Sequence, residues 1–180
     1  HLTSGFYRED WPAIYKDKIL WVAEGIINVY DVKDKTTEPF FEGAQPFSNF
    51  FGLTAYDGRY LVYSQYDGVN YDVAAYDTLN HQEIQITNGG ISHNINDYDN
   101  KNVIYIDGGA CGVLYAYNLA TKKTIHITNE ACGSAKISGN IVVWNYAATG
   151  GTNIYGYDLS KNLQFDIATG AGYQESPDIY

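Results

Sequence analysis

The feature that most constrains the fold is an internal repeat of about 40 residues. Each unit carries a short apolar segment with an aromatic residue near its end, and the steps between these aromatic markers are 42, 42 and 39 residues. The markers are Trp21, Tyr63, Tyr105 and Trp144. A tyrosine follows each marker within its unit, at steps of 46, 41 and 40 residues: Tyr30, Tyr76, Tyr117 and Tyr157. A fixed period of this length indicates a repeat architecture.

Each unit predicts four short strands. The second strand is continuously apolar, as in residues 141–144, which suits a strand buried on both faces. The third strand alternates, as in residues 153–158, and the fourth is more polar. Glycine-containing turns separate the strands, for example Asp57-Gly58 and Asp67-Gly68. Since four strands in about 40 residues is the size of a propeller blade, the sequence predicts an all-β fold of the β-propeller type.

We expect the 180 residues to form a single propeller segment. The predicted full blades span residues 10–43, 48–88, 92–129 and 133–169. Residues 1–5 match the closing strand of another blade, and residues 174–180 match the opening strand of a further one. An open propeller leaves strand edges exposed, so we expect either a piece of a longer propeller or closure by self-association.

Charge and hydropathy restrict the partners. The net charge of −10 opposes binding to a phosphate backbone, so we expect no nucleic-acid partner. No apolar run approaches the roughly 20 residues that a membrane-spanning helix needs, so we expect no membrane span.

The repeat resembles the TolB-like, WD40-like β-propeller repeats of secreted and cell-surface prokaryotic proteins. The resemblance rests on the patterns Pro-x-Ile-Tyr, Ile-Val-x-Trp and Asn-Ile-Tyr-x-Tyr-Asp-Leu, and it covers essentially the whole chain, best from Gly52 to Tyr180. It implies an intact propeller of roughly six to eight blades. It also implies a role in binding proteins or polysaccharides.

Propellers bind ligands where the loops that lead into the innermost strands converge at the mouth of the channel. The candidate residues in this sequence are Arg8, Glu9, Asp10, Trp11, Asn49, Phe50, His93, Asn94, Ser134, Gln174 and Glu175. Their mixture of charges, amides and aromatic rings suits a polar ligand, although ordinary solvated loops contain the same residue types. The aromatic residues that do not follow the repeat, Phe47, Phe50 and Phe51, are further candidates for ligand contact.

The two cysteines predict a disulfide. On the repeat, Cys111 lies between the second and third strands of blade three, and Cys132 lies on the way into the first strand of blade four. Both loops emerge on the same face of a propeller, so we predict a Cys111–Cys132 bridge between adjacent blades. Such a bridge requires an oxidising compartment and therefore predicts a secreted or cell-surface protein.

We predict no metal site and no cofactor. His93 is the one histidine near the predicted channel mouth, and no metal-ligand spacing surrounds it. The loops are rich in Asp and Asn, which leaves calcium or another divalent metal as an alternative, but turn chemistry accounts for the same residues and no EF-hand pattern is present.

The sequence therefore predicts a non-catalytic extracellular binding or scaffold module for a protein or a polysaccharide at the cell surface. One alternative is a polysaccharide-degrading enzyme of the lyase type, which would use His93 with Glu9, Asp10 and Glu175. Another is a purely structural role in a surface layer or filament.

Overall fold

A computed structural model describes residues 9–42, 49–99, 101–109, 111–148 and 150–180. These residues contain strands, turns and loops but no helix, so none of them forms a helix suited to crossing a membrane. Of the sequence predictions, those on Arg8, Phe47 and residues 1–5 lie outside the described residues.

The strands of the described residues form four sheets, each built on an antiparallel meander of four strands that are neighbours along the chain, and we number these meanders as blades one to four. Blade one consists of β1 (Glu9–Tyr15), β2 (Lys18–Ala23), β3 (Ile26–Asp31) and β4 (Thr36–Pro39). Blade two consists of β5 (Phe50–Tyr56), β6 (Tyr60–Tyr66), β7 (Tyr71–Asp77) and β8 (Gln82–Gln85). Blade three consists of β9 (His93–Asp99), β10 (Asn102–Gly108), β11 (Cys111–Asn118) and β12 (Lys123–Cys132). Blade four consists of β13 (Ala135–Ser138), β14 (Ile141–Ala148), β15 (Gly151–Asp158) and β16 (Leu163–Ala168).

The chain divides into two compact units, residues 1–89 with blades one and two and residues 90–180 with blades three and four. Each unit has its own apolar core, built mainly from the second and third strands of its blades. The aromatic markers of the repeat are all buried in the second strands, as the continuous apolar pattern predicts: Trp21, Tyr63, Tyr105 and Trp144. The fourth strands β4 and β8 are mostly exposed, as their polar composition predicts.

An Asp or Asn ends each third strand, directly after the recurring tyrosine of the repeat. Its side-chain oxygen accepts hydrogen bonds from the backbone N–H groups two and three residues later, so it orders the turn into the fourth strand. The four residues are Asp31, Asp77, Asn118 and Asp158. Four positions after each of them, a non-glycine residue takes a positive φ: Lys35, His81, Lys122 and Asn162. All four blades therefore use the same hairpin.

The last residues of the chain leave the four-strand pattern. Gly172–Tyr173 forms β17, which pairs in parallel with the start of β15 at Gly151 and Thr152. Residues 174–180, predicted as the opening strand of another blade, contain no strand in the structure. The assignment of these residues to a further blade stays a prediction.

Candidate functional site

Three of the predicted site residues occupy equivalent positions in their blades. Glu9, Phe50 and His93 each begin the first strand and pair with the residue two positions after the aromatic marker of the second strand. The repeat therefore identifies corresponding positions even though the three residues differ in chemistry. Asp10 and Trp11 follow within β1, where they contribute backbone to blade one.

Asn49 and Phe50 lead into the first strand of blade two. Asn49 is exposed and adopts a φ of 55°, and its carbonyl oxygen accepts a hydrogen bond of 2.8 Å from the backbone N–H of Tyr66. The half-buried Phe50 ring packs at 5.6 Å from the ring of Tyr63. Asn49 thus presents its side chain to solvent, whereas Phe50 belongs partly to the core of the unit.

His93 begins β9 and is buried. Its Nε2 atom lies 3.1 Å from Oδ1 of Asp107, directly across the β9–β10 pair. Burial raises the pKa of Asp107, and the neighbouring His93 opposes that rise. The pKa of Tyr105 rises to about 12, because the ring is buried and lies near the Asp107 carboxylate. The buried position of the imidazole restricts its access to a large ligand.

A cavity of about 650 Å³ lies within the second unit, where blade three meets the start of blade four. Its wall consists of two asparagines, the disulfide, one aliphatic side chain and two glycines. These residues are Asn94, Asn96, Ile106, Gly109, Cys111, Cys132 and Gly133. Its volume falls in the range of small-molecule sites, roughly 300–1,000 Å³. Predicted residue Asn94 lines the cavity, and predicted residue Ser134 follows Gly133 along the chain and is exposed.

The two asparagines of the cavity are positioned by β9. Asn94 donates from Nδ2 to the carbonyl oxygen of Gly108 at 2.9 Å, and Asn96 donates from Nδ2 to that of Gly133 at 3.3 Å. Asn96 is the extra residue of a β-bulge, between the paired residues Ile95 and Asp97. Its Oδ1 atom is buried and has no hydrogen-bond partner among the described residues. The sequence does not single out Asn96 as a site residue, because a bulge has no signature in a single sequence.

Gln174 and Glu175 lie after β17. The backbone of Gln174 is fixed to Thr152, whose Oγ1 donates to the Gln174 carbonyl at 2.8 Å and whose own carbonyl accepts from the Gln174 N–H at 3.1 Å. Glu175 is exposed. These contacts belong to blade four, and neither residue is among the described residues that line the cavity.

The Cys111–Cys132 disulfide is present, as predicted, but its predicted placement between two blades is wrong. The outer strand β12 continues to Cys132, beyond the predicted end of blade three at residue 129. Cys111 and Cys132 are therefore direct cross-strand partners in β11 and β12 of a single blade. A disulfide is consistent with a protein of an oxidising compartment.

An aromatic cluster lies at the end of blade two where β5 begins and where the turn between β6 and β7 is located. The ring of Tyr71 lies 4.8 Å from the rings of both Phe51 and Tyr66, with interplanar angles of 68° and 33° respectively. Phe51 is 40% exposed and Tyr66 is 38% exposed. The sequence predicts Phe51 as a candidate for ligand contact, but the two tyrosines are not among the predicted residues. The available signal was that both flank the Asp67–Asn70 turn, in the second repeat alone.

The described residues contain no group of three or more His, Cys, Asp or Glu side chains that could hold a metal ion. His93 and Asp107 form a pair without a third such ligand among them.

Comparison with known proteins identifies the fold. No protein-family model matches the sequence, and curated proteins give no significant match. TolB from Acinetobacter baumannii matches with a TM-score of 0.64 and 17% identity, over 93% of this chain and 45% of that one. An oligogalacturonate lyase in complex with manganese matches with a TM-score of 0.65 and 11% identity, over 92% of this chain and 55% of that one. A nidogen/laminin complex matches with a TM-score of 0.58 and 12% identity, over 91% of this chain and 66% of the matched one.

These matches show that the chain has the TolB-like β-propeller fold, as the repeat predicts. The chain spans between 45% and 66% of the lengths of the three matched chains. At identities this low the likeness concerns the fold alone, and it is shared by a lyase and by a chain of a nidogen/laminin complex.

Proposed function

We propose that the chain is a non-catalytic binding or scaffold module that acts at the cell surface, where it mediates interaction with a protein or a glycan. The observation that carries this proposal is the cavity of the second unit, which the predicted residue Asn94 lines. Loops that lead into first strands are the places where a repeat fold is free to vary without disturbing its core.

The chemistry of the cavity favours recognition over catalysis. Asn94 and Asn96 supply neutral donors and acceptors, which suit hydroxyl and peptide groups. The buried Oδ1 of Asn96 is an acceptor that a ligand hydroxyl or N–H would satisfy, and leaving it unsatisfied costs about 1–3 kcal/mol. Ile106 provides apolar surface beside the amides. A few polar groups on an apolar wall are typical of a small ligand site.

The disulfide supports the proposed location outside the cytoplasm. The Cys111–Cys132 bridge joins two neighbouring strands of one blade, and such bridges persist in oxidising compartments. The likeness to a nidogen/laminin complex supports a binding role on the level of the fold.

The test is incubation of the chain with a panel of neutral and acidic polysaccharides, with and without divalent metal, following both retention and the appearance of new reducing or unsaturated ends. Retention without cleavage that weakens in Asn96→Ala supports the proposal. The matched control is Asn129→Ala, an exposed asparagine of β12 that contacts His126 instead of the cavity. Equal loss in both variants would contradict a site at the cavity.

A second candidate is a polysaccharide-degrading enzyme of the lyase type. It is favoured by the His93–Asp107 contact of 3.1 Å and by the likeness to an oligogalacturonate lyase. Cleavage of a polysaccharide that disappears in His93→Ala, with the fold retained by circular dichroism, would replace the first proposal by this one. Absence of both retention and cleavage, together with concentration-dependent association, would favour a structural role in a surface layer or filament.

A further inference from the structure

We propose that the aromatic cluster Phe51–Tyr66–Tyr71 of blade two is a stacking site for a neutral sugar ring. The inference rests on the proposed function in its glycan-binding form, and it names a second site in a different unit from the cavity. The cluster lies at the end of blade two where β5 begins and where the turn between β6 and β7 is located.

A comparison of the blades shows that the repeat does not require these rings. Tyr66 and Tyr71 are cross-strand partners. The equivalent partners are Gly108 and Gly112 in blade three and Ala147 and Thr152 in blade four. Blades three and four therefore have small residues at the position next to the turn between the second and third strands, where blade two has two tyrosines. The tyrosine pair adds apolar surface that the fold itself does not need.

Phe51 reaches the cluster through a β-bulge found at this position in blade two. Phe50 pairs with Gln65 and Gly52 pairs with Ser64, so Phe51 is an additional residue between them. The equivalent stretch of blade three, from His93 to Ile95, pairs with β10 without a shift. Bulges next to functional sites re-aim a side chain, and this one places a phenylalanine ring 4.8 Å from Tyr71.

The geometry of the rings suits the apolar face of a pyranose. Tyr66 and Tyr71 are inclined by 33° to each other, and Phe51 meets Tyr71 nearly edge-on at 68°. Phe51 and Tyr66 keep more than a third of their surface open to solvent. Aromatic rings attract the weakly positive C–H groups that a sugar presents on one face, because the ring face carries partial negative charge.

The charges of the blade select an uncharged sugar. Between Asn49 and Gly89 the sole Lys or Arg is Arg59, and it is bound to Asp77 at the opposite end of the blade. Asp67 lies in the turn beside Tyr66, and hydrogen bonds from the backbone N–H groups of Asn70 and Val69 lower its pKa, so it is ionised at neutral pH. A uronic acid or a sulfated sugar would meet a carboxylate here and no free cation from residues 49–89.

The experiment measures binding of cellohexaose, xylohexaose and mannohexaose by calorimetry and by saturation transfer from the aromatic protons, with trigalacturonate as the charged comparison. Phe51→Ala and Tyr66→Ala should each weaken binding of at least one neutral probe about tenfold. Tyr66→Phe keeps the ring and should retain most of the binding. Val69→Ser is the matched control, because Val69 is 77% exposed in the same turn but lies outside the cluster.

Four outcomes would overturn the inference. Retained binding in both ring variants with loss in Asn96→Ala would place the sugar in the cavity, so the inference would fail and the proposed function would stand. Absence of binding to every neutral and acidic probe would overturn the inference and the glycan form of the proposed function, and would leave a protein partner or a structural role. Preference for trigalacturonate would contradict the charge argument, and loss of binding in Val69→Ser or Tyr66→Phe would show that ring stacking is not the cause.

Discussion

The ion pair between Arg59 and Asp77 makes a sharp prediction about the first unit. The guanidinium donates from Nε to Oδ1 of Asp77 at 2.9 Å and from Nη2 to Oδ2 at 2.6 Å. The same carboxylate accepts the N–H of Leu79 at 3.0 Å and Nδ2 of Asn80 at 2.8 Å, while its side chain is only 5% exposed. The perturbation is Asp77→Asn, which keeps the shape of the side chain and removes its charge.

We expect Asp77→Asn to lower the free energy of unfolding by about 2 kcal/mol. The asparagine oxygen can still accept the hydrogen bonds that Oδ1 of Asp77 accepts, but an NH2 group replaces Oδ2. The two charge-assisted hydrogen bonds that Oδ2 accepts, from Nη2 of Arg59 and Nδ2 of Asn80, are therefore lost. Such bonds contribute about 1.5–3 kcal/mol each. The expected loss of about 2 kcal/mol is smaller than the sum of the two bonds, because the Arg59 side chain is 39% exposed and water replaces part of the lost hydrogen bonding.

The loss should depend on pH. Hydrogen bonds from Arg59 lower the pKa of Asp77 to about 2, below its ordinary value of 3.8. A lowered pKa in the folded state means that the contribution is complete above the ordinary value and disappears as the pH falls through the folded one. The difference between the native chain and Asp77→Asn should therefore be constant at neutral pH and shrink between about pH 4 and pH 2.

Urea unfolding at several pH values measures both effects, and Asp31→Asn provides a matched control. Asp31 is the equivalent residue of blade one, but its partner Lys18 is 44% exposed and makes one contact of 3.1 Å. Asp31→Asn should therefore destabilise clearly less than Asp77→Asn. Equal losses in the two variants, or a loss at Asp77 that does not change down to pH 2, would refute the reasoning.

Three further predictions concern the backbone and the disulfide. Gly58→Ala should destabilise the folded protein by about 2–4 kcal/mol in thermal unfolding, because φ is 93° and the new Cβ would lie 2.5 Å from the Tyr15 ring. Gly25→Ala is the control: φ is 76°, the space around the new Cβ is open, and the cost should be only about 1 kcal/mol. Reduction of the Cys111–Cys132 bridge, whose cysteines are 21 positions apart, should lower stability by roughly 3 kcal/mol in the chain-entropy account, and an unchanged urea midpoint with reductant would contradict it. Lys122→Gly should raise the thermal midpoint slightly, because relief of the left-handed φ of 56°, worth about 1–2 kcal/mol, exceeds the roughly 0.5–1 kcal/mol of chain entropy that glycine loses on folding. A lower midpoint would contradict this balance.

The fold could be predicted from the sequence because its period is encoded in residues that the core requires. Trp21, Tyr63, Tyr105 and Trp144 are buried in four equivalent strands, so packing demands a large apolar ring at each position. Asp31 and its three equivalents order the same turn, so hydrogen bonding demands an Asx side chain there. Because each blade needs the same buried ring and the same turn residue, these residue types recur at a fixed spacing, and that spacing makes the repeat visible in the sequence.

The parts that the sequence did not predict depend on register. The repeat predicts that blade three ends near residue 129 and that Cys132 lies at the entry of blade four, but β12 extends further and brings Cys132 opposite Cys111. Asn96 reaches the cavity through a bulge, and Phe51 reaches the tyrosines through another. Shifting the pairing by one residue changes the face on which a side chain lies, so a single extra residue decides which groups meet.

Differences among the blades are therefore more informative about function than the repeat itself. The hairpin end that holds Tyr66 and Tyr71 in blade two holds Gly108 and Gly112 in blade three, and both blades have buried second strands. Folding accepts either pair, so stability alone does not explain two partly exposed tyrosines beside a bulged phenylalanine. Exposed aromatic surface also favours unwanted association, a cost that a binding role would offset. Residues that one blade carries and its equivalents lack are accordingly the first positions at which ligand binding should be tested.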